Sequence, residues 1–199
     1  LDSVRPGTAW IELSTNDLPT ARRLAPVAVD RKVTLIDAPV SGGPEGAAAG
    51  TLSVYVGGPD DPVTRCAPVF DAIGANVDHL GPHGAGYAAK IAQVTLCYTQ
   101  TVTFVEALTL GVKGGVAPAK MLEIIQRSAG SSYVAETYGP EIVAGTYDPT
   151  FAIATAAKDM RLAMEMADAV AADLPFMARV AERYAAAESL FGSAAPHLL

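Results

Sequence analysis

The spacing of apolar positions changes near residue 84. Before it, short apolar runs alternate with helically spaced stretches. They predict a strand over Thr8–Leu13, a helix over Leu18–Asp30, a strand over Lys32–Val40, a strand over Leu52–Val56, a helix over about Asp61–Ile73 and a strand over Asn76–Leu80. Val33, Leu35, Ile36 and Val40 read as a buried strand, of the kind found in sheets covered on both faces. After Gly84 the rhythm is helical throughout. Helices are expected over Tyr87–Lys113, Ala117–Ser128, a short piece near Ser132–Tyr138, Ile153–Ala171 and Phe176–Leu190, separated by Gly-, Ser-, Asp- and Pro-containing breaks. The chain therefore divides into an α/β part, residues 1–83, and an all-α part, residues 84–199, built around a long helix.

Composition narrows the function classes. At 199 residues and 50% hydrophobic, the chain can bury one sizeable core or two smaller ones. Acidic residues outnumber basic ones, 21 to 14, and no basic strip is interleaved with aromatics, so nucleic acid is not an expected partner. The uncharged run from Ile91 to Val105 contains Gln93, Gln100 and several threonines. A bilayer span needs ~20 apolar residues, so no membrane partner is expected either. Cys66 and Cys97 sit in apolar settings that suit reduced thiols in the cytoplasm. His79, His83 and His197 lack any metal-ligand spacing, and no nucleophile elbow accompanies Ser41.

Two segments carry the candidate chemistry. Asp37-Ala38-Pro39-Val40-Ser41-Gly42-Gly43, followed by Gly46-Ala47 and Gly50-Thr51-Leu52, sets a strand against a flexible turn rich in donors. Ser41, Gly42 and Gly43 could hold a carboxylate through a hydroxyl and backbone N–H groups, or could simply be a strand exit packed with small residues. The second segment, Gly84-Ala85-Gly86-Tyr87-Ala88-Ala89-Lys90, opens the long helix. A helix apolar on nearly every side has to be buried. A lysine on it is costly unless it meets an anion, water or a cleft; otherwise it snorkels to solvent from the first turn. Lys90, Gln93, Val94 and Cys97 share one face. Gly84 to Ala89 also fits G-x-G-x-x-A. A dinucleotide loop requires a parallel strand after its helix, though, and the residues from Val116 onward read as more helix.

Taken together the segments resemble the β-hydroxyacid dehydrogenase family, the relatives of 3-hydroxyisobutyrate dehydrogenase and tartronate semialdehyde reductase. The resemblance is carried by Ser14-Thr15, by Asp37 to Gly43 with Gly46 to Leu52, and by Gly57-Gly58. It continues through Gly84-Ala85-Gly86 with Lys90, Glu106-Ala107-Leu108, and Phe151 with Lys158-Asp159, all in the family's order. It covers the chain from about Pro6 to the region of Tyr184.

The resemblance implies a partial Rossmann-like domain followed by a helical substrate and dimerisation domain. It also implies that a βαβ unit with a glycine-rich fingerprint would stand before Leu1, so that the chain is expected to be a fragment. The implied activity is an NAD- or NADP-dependent interconversion of a small β-hydroxyacid and its aldehyde or keto acid, in a homodimer or higher homo-oligomer. Lys90 is then the general acid and base, Gln93 a companion, and Ser41, Gly42 and Gly43 the holders of the substrate carboxylate. Thr15 and Lys158 match positions that contact the cofactor. Each also has a plainer reading: Thr15 with Ser14 as a helix cap, Lys158 as part of a solvated face with Arg161, Glu165 and Asp168. Family members carry asparagine three or four residues after the lysine, where this chain has Gln93 and Val94. That departure keeps an imine reductase of the same fold open as an alternative, beside a non-catalytic dimerisation module.

Overall fold

The computed structural model describes residues 3–198; the outermost residues of the two expected domains, 1–2 and 199, lie outside the described residues. The α/β part contains β1 (Ala9–Glu12), α1 (Leu18–Asp30), β2 (Thr34–Asp37), β3 (Val40–Ser41) and α2 (Gly43–Ala49), then β4 (Leu52–Gly57), α3 (Asp60–Ile73) and β5 (Gly74–Gly81). The helical part contains α4 (Ala85–Lys113), α5 (Pro118–Gln126), a π-helical turn (Val134–Tyr138), α6 (Gly139–Ala144), α7 (Ile153–Val170) and α8 (Pro175–Phe191). The chain forms two compact units, residues 1–93 with 165–172, and residues 94–164 with 173–199.

In the first unit β1 and β2 run parallel, as do β4 and β5, while β4 is antiparallel to both β2 and β3. Alternation along β4 places Leu52, Val54 and Val56 in a core with Ile36, Ala38, Val63 and Phe70. Helix α1 begins where Asp17 accepts the Thr20 N–H at 2.8 Å, and it buries Ala21 and Ala28 on one face. The single strand expected over Lys32–Val40 is two strands. Pro39 has no N–H to give to a ladder, so pairing with β4 lapses at the Ala38-Pro39 corner and resumes at Val40↔Val54. Asp60 and Asp61 lie in the first turn of α3, which follows Pro59 and favours acidic residues there.

The second unit holds two apolar clusters. Tyr98, Ile153, Ala156, Met160, Val180 and Tyr184 form one; Phe104, Leu108, Leu122, Ile125 and Val134 belong to the other. Gly139 and Pro140 open α6, since proline fits the first turn of a helix. Helix α4 is longer by its first residues than expected and is not buried all round: Leu96, Val105 and Leu110 are exposed, Leu110 at 77%. No helix among the described residues is long and apolar enough to cross a membrane.

The C-terminal segment straps the start of α7. Ile153 N–H reaches the Ala195 carbonyl at 2.7 Å, and His197 N–H reaches the Phe151 carbonyl at 3.0 Å. The His197 ring is 7% exposed and stands edge-on to Phe151 and Tyr138, and among the described residues neither ring nitrogen has a hydrogen-bond partner. Burial pushes its pKa from 6.5 down to about 4, against the opposing pull of the Phe151 carbonyl and the Asp148 carboxylate. The unfolded chain therefore binds the extra proton first as pH falls. The strap's contribution is whole above pH 6.5 and is lost as pH drops toward 4, worth about 2 kcal/mol after solvent screening. Thermal melts between pH 7 and pH 4.5 are expected to show this loss, and His197→Phe is expected to flatten it. An unchanged slope in the variant would contradict the assignment.

Candidate functional site

The elements of the first unit meet at one carboxylate. Asp37, the last residue of β2, is fully buried. Its Oδ1 accepts the Gly84 N–H at 2.7 Å, and its Oδ2 accepts the Tyr87 N–H at 3.0 Å. His83 Nδ1 lies 2.9 Å from the same Oδ1. These amides belong to the first turn of α4, whose N–H groups have no partner inside the helix. Gly86 completes the contact. A Cβ there would stand 2.9 Å from the Asp37 carbonyl and would collide with the Tyr55 carbonyl, so only glycine lets the helix come this close.

Tyr55 in turn donates its N–H to the Pro39 carbonyl at 3.0 Å, linking this contact to the corner before β3. Beyond the corner, Ser41 is half-buried and pairs with Ser53. Gly42 and Gly43 are exposed, with φ of 134° and 63°, a conformation that favours glycine. The turn expected to be flexible runs directly into α2, and a Cβ on Gly42 would approach the Leu52 side chain to 3.1 Å.

Lys90 lies on α4, 8% exposed, so it does not snorkel into open solvent. It follows Gly86 by four residues. It therefore leaves the helix on the face that Gly86 turns toward Asp37 and Tyr55, about 6 Å further along the axis. Gln93, one turn later, is half-buried. The structure thus brings the helix of Lys90 and Gln93 against the β-segment that leads to Ser41, Gly42 and Gly43.

Thr15 sits half-buried in the loop at the C-terminal end of β1. Ser14 donates its N–H to the Glu12 carboxylate at 2.9 Å, and Asp17 takes the capping position of α1. Thr15 is therefore not the helix cap. Its loop borders a cleft of about 170 Å³ lined by Trp10, Glu12, Asn16, Leu35, His83 and Tyr87, among others. Burial above all, then the carboxylates of Glu12, Asp37 and Asp17, push the Tyr87 phenol up, so it stays a neutral donor at ordinary pH.

Lys158 belongs to the second unit. Its Nζ pairs with Asp159 Oδ1 at 2.8 Å, and Asp159 Oδ2 accepts the Tyr98 hydroxyl at 3.0 Å. Burial and the Asp159 carboxylate push the Tyr98 phenol up. Lys158 and Arg161 line a groove of about 500 Å³ whose far side carries Glu182 and Glu188, over a floor of alanines. Among the described residues no three or more His, Cys, Asp or Glu side chains are placed to hold a metal ion.

Asp37, His83 and Tyr87 are the residues whose place in the site sequence reasoning missed. Asp37 lies inside the Asp37–Gly43 motif, yet its partners on α4 are 47 and 50 residues away. Only the pairing of a buried acid with a glycine-opened helix could have pointed to it. The ends of parallel strands in open α/β sheets are where dinucleotides dock, and Ser14-Thr15 and Asp37-Ala38 occupy two such ends. Gly84 and Gly86 face Asp37, Tyr55 and α1, and serve close packing rather than a pyrophosphate.

Residues 84–198 match the family model described as NAD-binding of NADP-dependent 3-hydroxyisobutyrate dehydrogenase, and residues 1–81 match the NAD binding domain of 6-phosphogluconate dehydrogenase. An NAD-dependent L-serine dehydrogenase of Pseudomonas aeruginosa is 37% identical over 182 residues, covering 88% of this chain and 61% of the relative. A 3-hydroxyisobutyrate dehydrogenase of the same organism is 40% identical over 172 residues, covering 83% of this chain and 58% of the relative. The solved structure of Mycobacterium tuberculosis 3-hydroxyisobutyrate dehydrogenase with L-serine superposes with a TM-score of 0.90 at 30% identity, over 99% of this chain and 69% of that one. The chain thus spans about three fifths of the length of the curated relatives it matches. With its two parts matched in order by those two models and the Lys90 helix seated against the Asp37–Gly43 segment, the chain belongs to the β-hydroxyacid dehydrogenase family.

Proposed function

We propose that the protein is an NAD- or NADP-dependent dehydrogenase that interconverts a small β-hydroxyacid and its aldehyde or keto acid. One observation carries the reading. A buried ammonium, that of Lys90, stands on a helix whose first turn is fastened to the same residue, Asp37, from which the chain runs into Ser41-Gly42-Gly43. The relatives named for L-serine and 3-hydroxyisobutyrate support the substrate class.

The nicotinamide, when bound, accepts or donates the hydride. The chain's own residues do the rest. Ser41 Oγ and the N–H groups of Gly42 and Gly43 hold the substrate carboxylate and fix the reacting carbon. Lys90 Nζ takes the hydroxyl proton in oxidation and returns it in reduction, stabilising the developing alkoxide. Gln93 offers an amide on the same face of α4 to orient the substrate. Thr15, at the end of β1, and Lys158, on α7, are the residues that would hold the cofactor. The domain of residues 1–83 carries the nucleotide-side residues and that of 84–199 the helical substrate and dimerisation elements. Exposed Leu96 and Leu110, which share one face of α4, fit a subunit face in a cytoplasmic homodimer or higher oligomer.

The test is an assay of the complete protein against a panel of small β-hydroxyacids, aldehyde acids and cyclic imines with both cofactors. Turnover is expected with β-hydroxyacids. Turnover confined to imines, or none at all, would overturn the reading.

A further inference from the structure

A carboxylate without exposed surface is tolerated only when its oxygens are engaged. Asp37 meets that condition through the Gly84 N–H on Oδ1 and the Tyr87 N–H on Oδ2. Ordinary helix caps come from the residue just before the helix. Here the cap reaches α4 from β2, 47 residues earlier in the chain. Glycines admit it on both sides: a Cβ at Gly57 would lie 2.6 Å from Asp37 Oδ1, and one at Gly86 would lie 2.9 Å from Oδ2. Two side chains are thus dispensed with where a single carboxylate joins the Lys90 helix to the strand leading to Ser41.

We propose that Asp37 is a positioning residue: by fastening the first turn of α4 to the end of β2, it sets where Lys90 stands relative to the Ser41-Gly42-Gly43 turn. The inference rests on the role of Lys90 proposed above. Asparagine at this position would keep the size of the side chain but turn an NH₂ toward one of the two amides, leaving that amide without an acceptor. The helix start would loosen, and a displacement of about 1 Å at a reacting group costs about 100-fold in rate.

The test uses Asp37→Asn in the complete protein, with three readouts. Turnover of the β-hydroxyacid is expected to fall by about 30-fold or more while KM for the cofactor stays within about 2-fold. Amide exchange at Gly84 and Tyr87 is expected to quicken about 10-fold while Val54 and Val56 in β4 keep their protection. Acetylation of Lys90 by acetic anhydride, read by peptide mass spectrometry, is expected to change about 3-fold or more, because the ammonium has moved. Turnover within about 3-fold of the parent, or unchanged Lys90 labelling beside loosened amides, would overturn the proposal and leave Asp37 a cap only. If the parent protein turns over no hydroxyacid, the functional reading fails by itself. Labelling and exchange then decide the positioning claim, a changed Lys90 supporting it and an unchanged one overturning it. Should Asp37→Asn not fold, Asp37→Glu, which keeps the charge and both acceptors but displaces them by a methylene, is judged by the same readouts.

Discussion

Replacing Lys90 with alanine in the complete protein is expected to lower kcat for β-hydroxyacid oxidation by about 10³-fold, the range of a positioned general acid or base that also stabilises developing charge. KM for the cofactor is expected to hold within about 3-fold, because the lysine acts on the substrate oxygen rather than on the dinucleotide. Lys90→Arg separates charge from proton transfer, since a guanidinium stays protonated below pH ~12. It is expected to be nearly as slow as alanine in oxidation. An alanine variant that keeps turnover within about 3-fold of the parent would remove Lys90 from the chemistry.

Gly86→Ala is expected to destabilise the first unit by about 3 kcal/mol or more. The sign is diagnostic, because alanine in a helix interior is ordinarily better than glycine by about 1 kcal/mol. Here the added methyl would collide with the Tyr55 carbonyl and stand 2.9 Å from both the carbonyl and Oδ2 of Asp37. Two of these are backbone oxygens, which cannot swing aside as a flexible side chain can. Either α4 lifts away from Asp37, breaking the Gly84 and Tyr87 hydrogen bonds, or the β4 backbone shifts. A drop of at least ~10 °C in the melting temperature is expected. An unchanged or raised melting temperature would show that α4 is not held at this point.

What could be read in the sequence depended on contrast. Helix α1 was legible to the residue from its apolar spacing, although its cap is Asp17 rather than the Ser14-Thr15 pair. Strand β4 was legible from its alternation of buried and half-buried positions. Helix α2 was not, because Gly43–Ala49 is built of glycine, alanine and proline with one acid, and carries no apolar periodicity. The long helix α4 was legible as an element, yet an all-round apolar pattern conceals which face lacks a partner, and Leu96 and Leu110 emerged exposed. The π-helical turn at Val134–Tyr138 reads as ordinary helix in sequence. Its follower, Gly139, is fixed by contact with Leu122 and Phe104, which only the fold reveals.

The site divides in the same way. A lone charge on an apolar helix singled out Lys90 but left burial and snorkelling both open, which the fold decides; the Ser41–Gly43 turn followed from its glycines. The link between them did not, because Asp37 acts on amides 47 and 50 residues away and leaves no local signal. Order and spacing of the short motifs nonetheless pointed to the family that the comparisons show.

The most direct measurement of the central claim is a crystal structure of the complete protein with a β-hydroxyacid and the nicotinamide cofactor bound. Lys90 Nζ is expected within about 2.6–3.2 Å of the substrate hydroxyl, with the substrate carboxylate against Ser41, Gly42 and Gly43. A lysine nitrogen and a serine-glycine-glycine turn more than about 10 Å apart, too far for one small acid to touch both, would contradict it.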